Sequence, residues 1–274
     1  MSFNGSVPVN EKWRHFDFWI EDGVATLTFT RPDRLNALTF EVYADLRDLF
    51  GQIPHRDDID VLIITGQGRA FCSGGDVNDI IGELVEYDAK QLLEFTRMTG
   101  HVIQNMRECP IPIIAAVNGT AAGAGAVIAL ASDFRIVVPG VQFRFLFTKV
   151  GLSGGDMGSA YLLPRVVGLG RATEILMLGE PVGAEKAVEI GLANWMVEAG
   201  ELLDTANDLA RRLADGPRFG YAMTKLLLSR EQDMDLAGAL EYEAMTQALL
   251  MGSEDHKEFH RAFTSGQQPK WTGR

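Results

Sequence analysis

The feature that most constrains the fold is a pair of short apolar segments, each running into a turn of small residues. Residues 61–65 lead to the turn at 70–76, and residues 111–117 lead to the turn at 119–126. A short apolar run rich in β-branched side chains, without alternation, is typical of a strand covered on both faces. Helical patterns follow these turns. The chain is therefore expected to form an α/β layered core.

The neighbouring segments fit the same architecture. Residues 16–20 and 24–30 are predicted strands around Glu21-Asp22-Gly23, because Asp-Gly is typical of a hairpin. Thr39 is the expected N-cap of an amphipathic helix. Its predicted core positions are Val42, Leu46, Leu49 and Ile53. Further elements are expected as helices over 77–85, 92–106 and 121–131 and a strand over 134–138.

The residue pattern of the sequence changes after about residue 200. Helical periodicity with few β-branched residues predicts helices over 202–213, 216–229, 236–250 and 255–263. We therefore divide the chain into a core at 1–200 and a C-terminal helical region at 201–274.

Composition limits the classes of function. A net charge of −12 over 274 residues disfavours a nucleic-acid groove, which needs clustered Lys and Arg. No apolar run reaches the length of a membrane span, and residues 1–13 lack a secretory pattern, so a cytoplasmic protein without a membrane partner is expected. Cys72 and Cys109 lack metal-ligand spacing and are expected to be small buried residues, and no metal site is predicted.

The two turns of small residues offer backbone N–H groups that a ligand can approach closely. Each precedes a predicted helix, whose N-terminus adds partial positive charge. Two such turns facing each other would form an oxyanion hole with two donors. The alternative is that the small residues only permit close packing of helix on sheet. Neither turn has the Lys-Ser or Lys-Thr of a phosphate-binding loop.

Asp156 is the lead candidate for catalysis. It stands among small residues, in Gly151-Leu152-Ser153-Gly154-Gly155-Asp156-Met157-Gly158, just ahead of a helical pattern at 159–167. The simpler interpretation is an N-cap, since Asp at such a position commonly accepts backbone N–H bonds. Beside apolar side chains such as Phe145, Phe147 and Met157, burial would raise the pKa of the carboxyl and make it a better base.

Several motifs occur in order along nearly the whole chain. They are Arg31-Pro32-Asp33-Arg34-Leu35-Asn36-Ala37-Leu38, the turn at 70–76, Pro112-Ile113-Ile114-Ala115-Ala116-Val117-Asn118-Gly119, Ser132-Asp133-Phe134-Arg135-Ile136, Leu163-Pro164-Arg165 and residues 184–192. Together they resemble the crotonase superfamily, the enoyl-CoA hydratase/isomerase fold. The resemblance implies a spiral of β-β-α turns, with a C-terminal helical region that builds homotrimers or homohexamers.

The resemblance also implies a site. The substrate would be an acyl-CoA thioester, with no cofactor beyond the coenzyme A moiety itself. The backbone N–H groups of Gly75 and Ala124 would hold the thioester oxygen as it becomes an enolate. The residues implied to line the coenzyme A side are Arg34, Leu35, Ala37, Ala70, Asp76 and Val77.

The chain departs from the hydratase pattern at both catalytic glutamates, where it has Val127 and Phe147. Asp156 instead matches the position of a catalytic aspartate in dienoyl-CoA isomerases of the superfamily. The expected function is therefore double-bond isomerisation of an enoyl- or dienoyl-CoA with Asp156 as acid/base. Two alternatives are hydration with a second acid such as Glu83 or Glu86, and binding of acyl-CoA without catalysis.

Overall fold

The computed structural model describes residues 9–274. The strands are β1 (Asp17–Glu21), β2 (Val24–Phe29), β3 (Val61–Gly66), β4 (Ala70–Cys72), β5 (Ile113–Val117), β6 (Thr120–Ala122), β7 (Phe134–Val137), β8 (Gln142–Arg144), β9 (Val182–Gly183) and β10 (Trp195–Met196). The α-helices are α1 (Phe40–Gln52), α2 (Gly82–Leu84), α3 (Ala89–Glu108), α4 (Ala124–Ala131), α5 (Ser159–Val167), α6 (Leu169–Leu178), α7 (Ala184–Glu189), α8 (Leu202–Ala214), α9 (Arg218–Arg230), α10 (Leu236–Met251) and α11 (Glu254–Ser265).

The strands form two sheets. The larger has the order β1-β2-β3-β5-β7-β10, and the smaller has the order β4-β6-β8-β9. The inner strands β2, β3, β5 and β7 run parallel, while β1 pairs antiparallel with β2. Along the chain, β3, β5 and β7 in the larger sheet are each followed by a strand of the smaller sheet and then by helix. This is the predicted α/β spiral of β-β-α turns.

The core lies where the sequence places it. All residues of β3 and β5 are buried, and so is all of α4. The hairpin turn is confirmed, because Asp22 and Gly23 both have positive φ, as a two-residue turn between antiparallel strands requires. Thr39 caps α1 by accepting a hydrogen bond from the Val42 N–H. The four predicted core positions are all buried: Val42, Leu46 and Leu49 in α1, and Ile53 at its C-terminal end.

The structure differs from the sequence prediction inside the turns of small residues. Strands β4 and β6 lie within them, and the second helix begins at Ala124 rather than at residue 121. The predicted helix at 77–85 is a π-helical turn, Val77–Ile81, continued by α2. Three-residue strands leave no periodic signal, and β4 and β6 form by pairing with each other across about fifty residues of chain.

The four C-terminal helices form close to their predicted bounds. Helix α8 packs on the larger sheet with Leu202, Ala206 and Ala210 buried. Helix α9 is tied to the core by Lys225, whose ammonium lies 2.7 Å from Asp133. The division at residue 200 and the role of the region in trimerisation stay predictions.

No helix described between residues 9 and 274 is both long and apolar enough to cross a membrane. The prediction about a secretory pattern concerns residues 1–13, of which 1–8 lie outside the described residues.

Gly125 holds α4 against β4 and provides a test of the fold. A Cβ at this position would overlap the backbone oxygen of Cys72 and lie 2.7 Å from the Cys72 Cβ. Overpacking of this kind costs about 1–3 kcal/mol. We expect Gly125→Ala to lower the free energy of unfolding by that amount, measured by denaturant titration.

Gly100 in the middle of α3 is the matched control, because a Cβ there would meet nothing within 4 Å. Gly100→Ala should raise the free energy of unfolding by about 0.5–1 kcal/mol through the loss of backbone entropy in the unfolded chain. Equal stability of the two variants would contradict this account of the packing.

Candidate active site

The two turns of small residues meet in space. Gly74 has a φ of +92°, and a Cβ on it would lie 3.0 Å from the Ala122 oxygen and 3.4 Å from the Ala124 nitrogen. A Cβ on Gly123 would in turn lie 3.7 Å from the Gly74 Cα. The absence of side chains therefore lets the end of the first turn touch the N-terminus of α4. This contact brings the two predicted donors, Gly75 and Ala124, into one region.

The N–H groups of both predicted donors are available to a ligand. Leu38 pairs with the first turn by donating to the Gly74 oxygen and accepting from the Asp76 N–H, both at 2.8 Å. In such parallel pairing the N–H of Gly75 points away from Leu38. Ala124 is the first residue of α4, where an N–H has no partner within the helix. Within residues 9–274, neither N–H makes a hydrogen bond.

The segment predicted to line the coenzyme A side pairs with the first turn. The Ser73 N–H donates to the Leu35 oxygen at 3.0 Å, and Leu35 itself has a φ of +51°. Arg34 is exposed, while Ala37 is buried. The structure thus brings Arg34, Leu35 and Ala37 together with the residues that flank Gly75.

Asn36 holds the segment after Arg31 against the first turn, and sequence reasoning assigned it no role. Its buried side-chain amide donates to the backbone oxygens of Gln67 and Ala70, and its Oδ1 accepts from the Arg31 N–H. Asn in a turn commonly tolerates positive φ and hydrogen-bonds the nearby backbone, and Asn36 does both. Its presence in the motif around Arg31 was therefore the signal for this role.

Asp76 and Val77 are placed differently from one another. Val77 is 67% exposed at the start of the π-helical turn. Asp76 is buried, where it accepts from the backbone N–H groups of Asn78 and Asp79 and lies 3.1 Å from the Arg31 guanidinium. Burial acts to raise the pKa of Asp76, but these N–H donors and Arg31 outweigh it, so its pKa lies below the usual value. The Asp76 carboxylate is therefore engaged as a cap and an ion pair.

Asp156 is not the cap of α5. The N-cap position belongs to Gly158, and no side chain caps this helix. Instead, the Asp156 backbone N–H donates to the Ser159 Oγ at 3.1 Å, and that hydroxyl donates to the Gly154 oxygen. Met157 has a φ of +50°, a strained conformation for a residue other than glycine. The backbone around Asp156 is thus held in place while its carboxylate stays out of the helix.

The surroundings of the Asp156 carboxyl suit a proton acceptor. It is half-buried, and burial raises its pKa, in agreement with the sequence prediction. The Met157 N–H counteracts this only in part. A carboxylate of raised pKa in a site is a candidate acid/base.

Tyr43 lies beside Gly75, and sequence reasoning missed it. Its hydroxyl is 3.7 Å from the place where a Cβ on Gly75 would stand. Burial raises the pKa of Tyr43 well above its ordinary value, and the thiol of Cys72 and the charge of Asp156 raise it further. The charge of Asp156 thus acts on Tyr43, whose hydroxyl lies beside Gly75. A polar residue adjacent to the core position Val42 was the available signal.

The remaining surroundings of the site are apolar. Val127 and Phe147, which the family resemblance assigns to the positions of the hydratase glutamates, are both buried. Cys72 is buried as predicted, and burial raises the pKa of its thiol to about 12, so the thiol stays neutral. Beyond Met157, a cavity of about 420 Å³ opens between the Asp156 loop and helices α3 and α9.

The other ionisable candidates are engaged elsewhere or exposed. Glu83 and Glu86 are exposed, and Glu83 accepts a hydrogen bond from the Tyr87 hydroxyl at 3.3 Å. The hydroxyl of Tyr161, five residues after Asp156, donates to Asp233 on the surface. Among residues 9–274, no group of three or more His, Cys, Asp or Glu side chains is placed to hold a metal ion.

Comparisons with known proteins agree with this fold. The model of the enoyl-CoA hydratase/isomerase family matches residues 19–274. A solved structure from Streptomyces coelicolor A3(2), provisionally named an enoyl-CoA hydratase, shares 58% identity and superposes with a TM-score of 0.98 over 100% of both chains. The 1,2-epoxyphenylacetyl-CoA isomerase of Escherichia coli (strain K12) is 37% identical over 93% of this chain and 97% of its own.

A third relative is the trans-2-decenoyl-[acyl-carrier-protein] isomerase of Streptococcus mutans, 31% identical over 93% of this chain and 97% of its own. The chain belongs to the enoyl-CoA hydratase/isomerase family of the crotonase superfamily. It is thus an enzyme of the isomerase/hydratase type, and the family supports an acyl-CoA substrate.

The raised pKa of Asp156 predicts a pH-dependent effect on stability. Because its pKa is higher in the folded chain than the value of about 3.9 for an unfolded one, its contribution is fully present below that value and is lost as the pH rises through the folded pKa. We expect Asp156→Asn to unfold at a higher temperature than the wild type at neutral pH. The difference should vanish toward acid pH.

Asp76→Asn is the control, because it should change the thermal midpoint in the opposite direction. The lowered pKa of Asp76 means that its carboxylate stabilises the fold above the unfolded pKa, and this is lost as the pH falls through the folded pKa. Asp76→Asn should therefore lower the thermal midpoint at neutral pH. A drop in midpoint for Asp156→Asn would instead indicate a capping or ion-pairing role.

Proposed function

We propose that the protein is an acyl-CoA isomerase that moves a carbon–carbon double bond, with Asp156 as the acid/base. The observation that carries the proposal is one half-buried carboxyl whose charge acts on Tyr43 beside Gly75, together with the Gly75 and Ala124 N–H groups, which make no hydrogen bond within residues 9–274. The relatives named as isomerases of 1,2-epoxyphenylacetyl-CoA and of a trans-2-decenoyl carrier-protein thioester support this choice.

Isomerisation needs only the Asp156 carboxylate and the two backbone N–H groups. The carboxylate of Asp156 removes a proton from the carbon next to the conjugated system, and the electron pair moves toward the thioester oxygen. The N–H groups of Gly75 and Ala124 stabilise the negative charge that develops on that oxygen. The protonated Asp156 then returns the proton to another carbon of the allylic system. The product has the same mass as the substrate, and the only bound group required is the coenzyme A moiety.

The coenzyme A portion would lie along the paired segments that flank Gly75. Arg34 and Val77 are exposed there, and the backbone of Leu35, Ala37, Ala70 and Asp76 builds the surface beneath them. Since the Asp76 carboxylate is already bonded, its expected role is to shape the turn rather than to contact the substrate.

Hydration is the second candidate function, because relatives with hydratase names occur. Adding water requires a group that activates the water and a proton source for the α-carbon. The buried Val127 and Phe147 can supply neither, so Asp156 would need a partner such as Glu83 or Glu86.

A panel of saturated, enoyl, dienoyl and cyclic acyl-CoAs, followed by mass spectrometry and absorbance, separates the candidates. Isomerisation changes absorbance at constant mass, whereas hydration adds the mass of water. Binding without either change would identify an acyl-CoA binding protein that performs no chemistry.

Asp156→Asn should abolish turnover of the substrate found in that panel while leaving its affinity within a few-fold. An amide keeps the size of the carboxyl but cannot accept a proton from carbon at neutral pH. Loss of a general base typically costs about 10²–10⁴ in rate. The measurement is kcat together with Kd by calorimetry on the same preparation.

Glu83→Gln and Glu86→Gln are the matched controls, since they remove the exposed carboxylates that hydration would need as a second acid. Both should keep the wild-type rate. Full activity of Asp156→Asn, or a large loss in either glutamate variant, would move the acid/base role to residues 83–86.

Assembly as a homotrimer or homohexamer is part of the proposal. Helices α10 and α11 leave large apolar side chains in solvent, among them Leu236 at 74% and Phe263 at 76% exposed. Such exposure is typical of a surface covered by another subunit. Light scattering at micromolar concentration should give three or six times the mass of one chain, and a clean monomer would contradict this.

A further inference from the structure

The Tyr43 hydroxyl is an unpartnered polar group at the edge of the proposed oxyanion hole. The residue is 3% exposed, and its ring packs edge-on against Phe95. The hydroxyl lies 3.7 Å from the position of a Cβ on Gly75, a point that is also 3.8 Å from the Ile80 Cδ1. It makes no hydrogen bond with any side chain or backbone group in residues 9–274.

The hydroxyl is not among the fully enclosed side-chain atoms without a partner, which within the described residues are Trp13 Nε1, Thr26 Oγ1 and Glu231 Oε1, so its oxygen still reaches solvent. A bound acyl group would displace that solvent, and a donor left there without a partner would cost about 1–3 kcal/mol, whereas phenylalanine would carry no such cost. The apolar neighbours Phe95 and Ile80 offer no acceptor. An acyl group that brings an oxygen to this place would remove the penalty.

The hydroxyl keeps its proton at neutral pH. Burial, followed by the thiol of Cys72 and the charge of Asp156, raises the pKa of Tyr43 well above its ordinary value. Tyr43 therefore acts as a neutral donor of one hydrogen bond and is unsuited to accepting a proton from carbon.

We propose that Tyr43 is a specificity-determining residue that donates a hydrogen bond to an oxygen on the acyl chain close to the thioester. Its substrates would be acyl-CoAs with a hydroxyl, keto or epoxide oxygen on the α, β or γ carbon. The proximity of the hydroxyl to Gly75 sets this range, because Gly75 is the proposed contact of the thioester oxygen. The inference rests on the proposed function only for the location of the thioester.

The test compares binding of butanoyl-CoA with binding of its α-, β- and γ-hydroxy derivatives by calorimetry. Any thioester that is turned over is measured in the Asp156→Asn background. The wild type should bind at least one hydroxy derivative about 10-fold more tightly than butanoyl-CoA, the equivalent of one good hydrogen bond to a buried donor. Tyr43→Phe should bind all four thioesters with nearly equal affinity.

Tyr221→Phe on α9 is the matched control, because it makes the same chemical change outside the proposed site. It should keep the wild-type preference. Tyr43→Phe should also keep the thermal midpoint, since no group of the described residues bonds to the hydroxyl; a lower midpoint would mean that the hydroxyl serves the fold and would overturn the proposal.

Two further results would overturn it. Equal weakening of all thioesters in Tyr43→Phe would make the hydroxyl a third donor to the thioester oxygen, and the absence of any preference in the wild type would remove the proposed role. Binding is the readout, so failure of the isomerase proposal leaves this test valid. If no thioester binds to the wild type, the thioester site itself is wrong.

Discussion

The close approach of two backbone segments, at Gly74 and Ala124, is the contact on which the site depends. A side chain on Gly74 would crowd the carbonyl of Ala122, and one on Gly125 would overlap the carbonyl of Cys72. Glycine at both places lets α4 begin directly beside the end of the first turn. The Gly75 and Ala124 N–H groups are then held by the sheets and not by flexible side chains, so they need no reorganisation when charge develops on a ligand oxygen.

Two aspartates near this contact show how the same side chain is given opposite properties. Backbone N–H donors and Arg31 surround Asp76, so its pKa falls and it serves structure. Asp156 is partly removed from water with little compensation, so its pKa rises. Environments that separate the pKa values of neighbouring acids are typical of active sites. Here the separation distinguishes a capping residue from the candidate acid/base without reference to any relative.

Much of the architecture could be predicted because it follows from local patterns. The hairpin at Asp22-Gly23, the Thr39 cap and the helices after residue 200 depend on periodicity and on residues nearby in sequence. Strands β4 and β6 could not be predicted, because they form only by pairing with strands that are distant in the sequence or short themselves. The capping interpretation of Asp156 failed because α5 has Gly158 as its N-cap, and the residue types do not indicate the positive φ of Met157 that precedes it. The role of Tyr43 likewise depends on Gly75, which is distant in sequence.

The most direct test of the central claim is a crystal structure of the Asp156→Asn variant with its acyl-CoA substrate bound. The account predicts that the thioester oxygen lies about 2.7–3.1 Å from both the Gly75 and the Ala124 nitrogen, the range of oxyanion-hole donors. Residue 156 should then contact a carbon of the acyl group from which a proton can be removed. A thioester oxygen bonded elsewhere, or an acyl chain directed away from residue 156, would contradict the account.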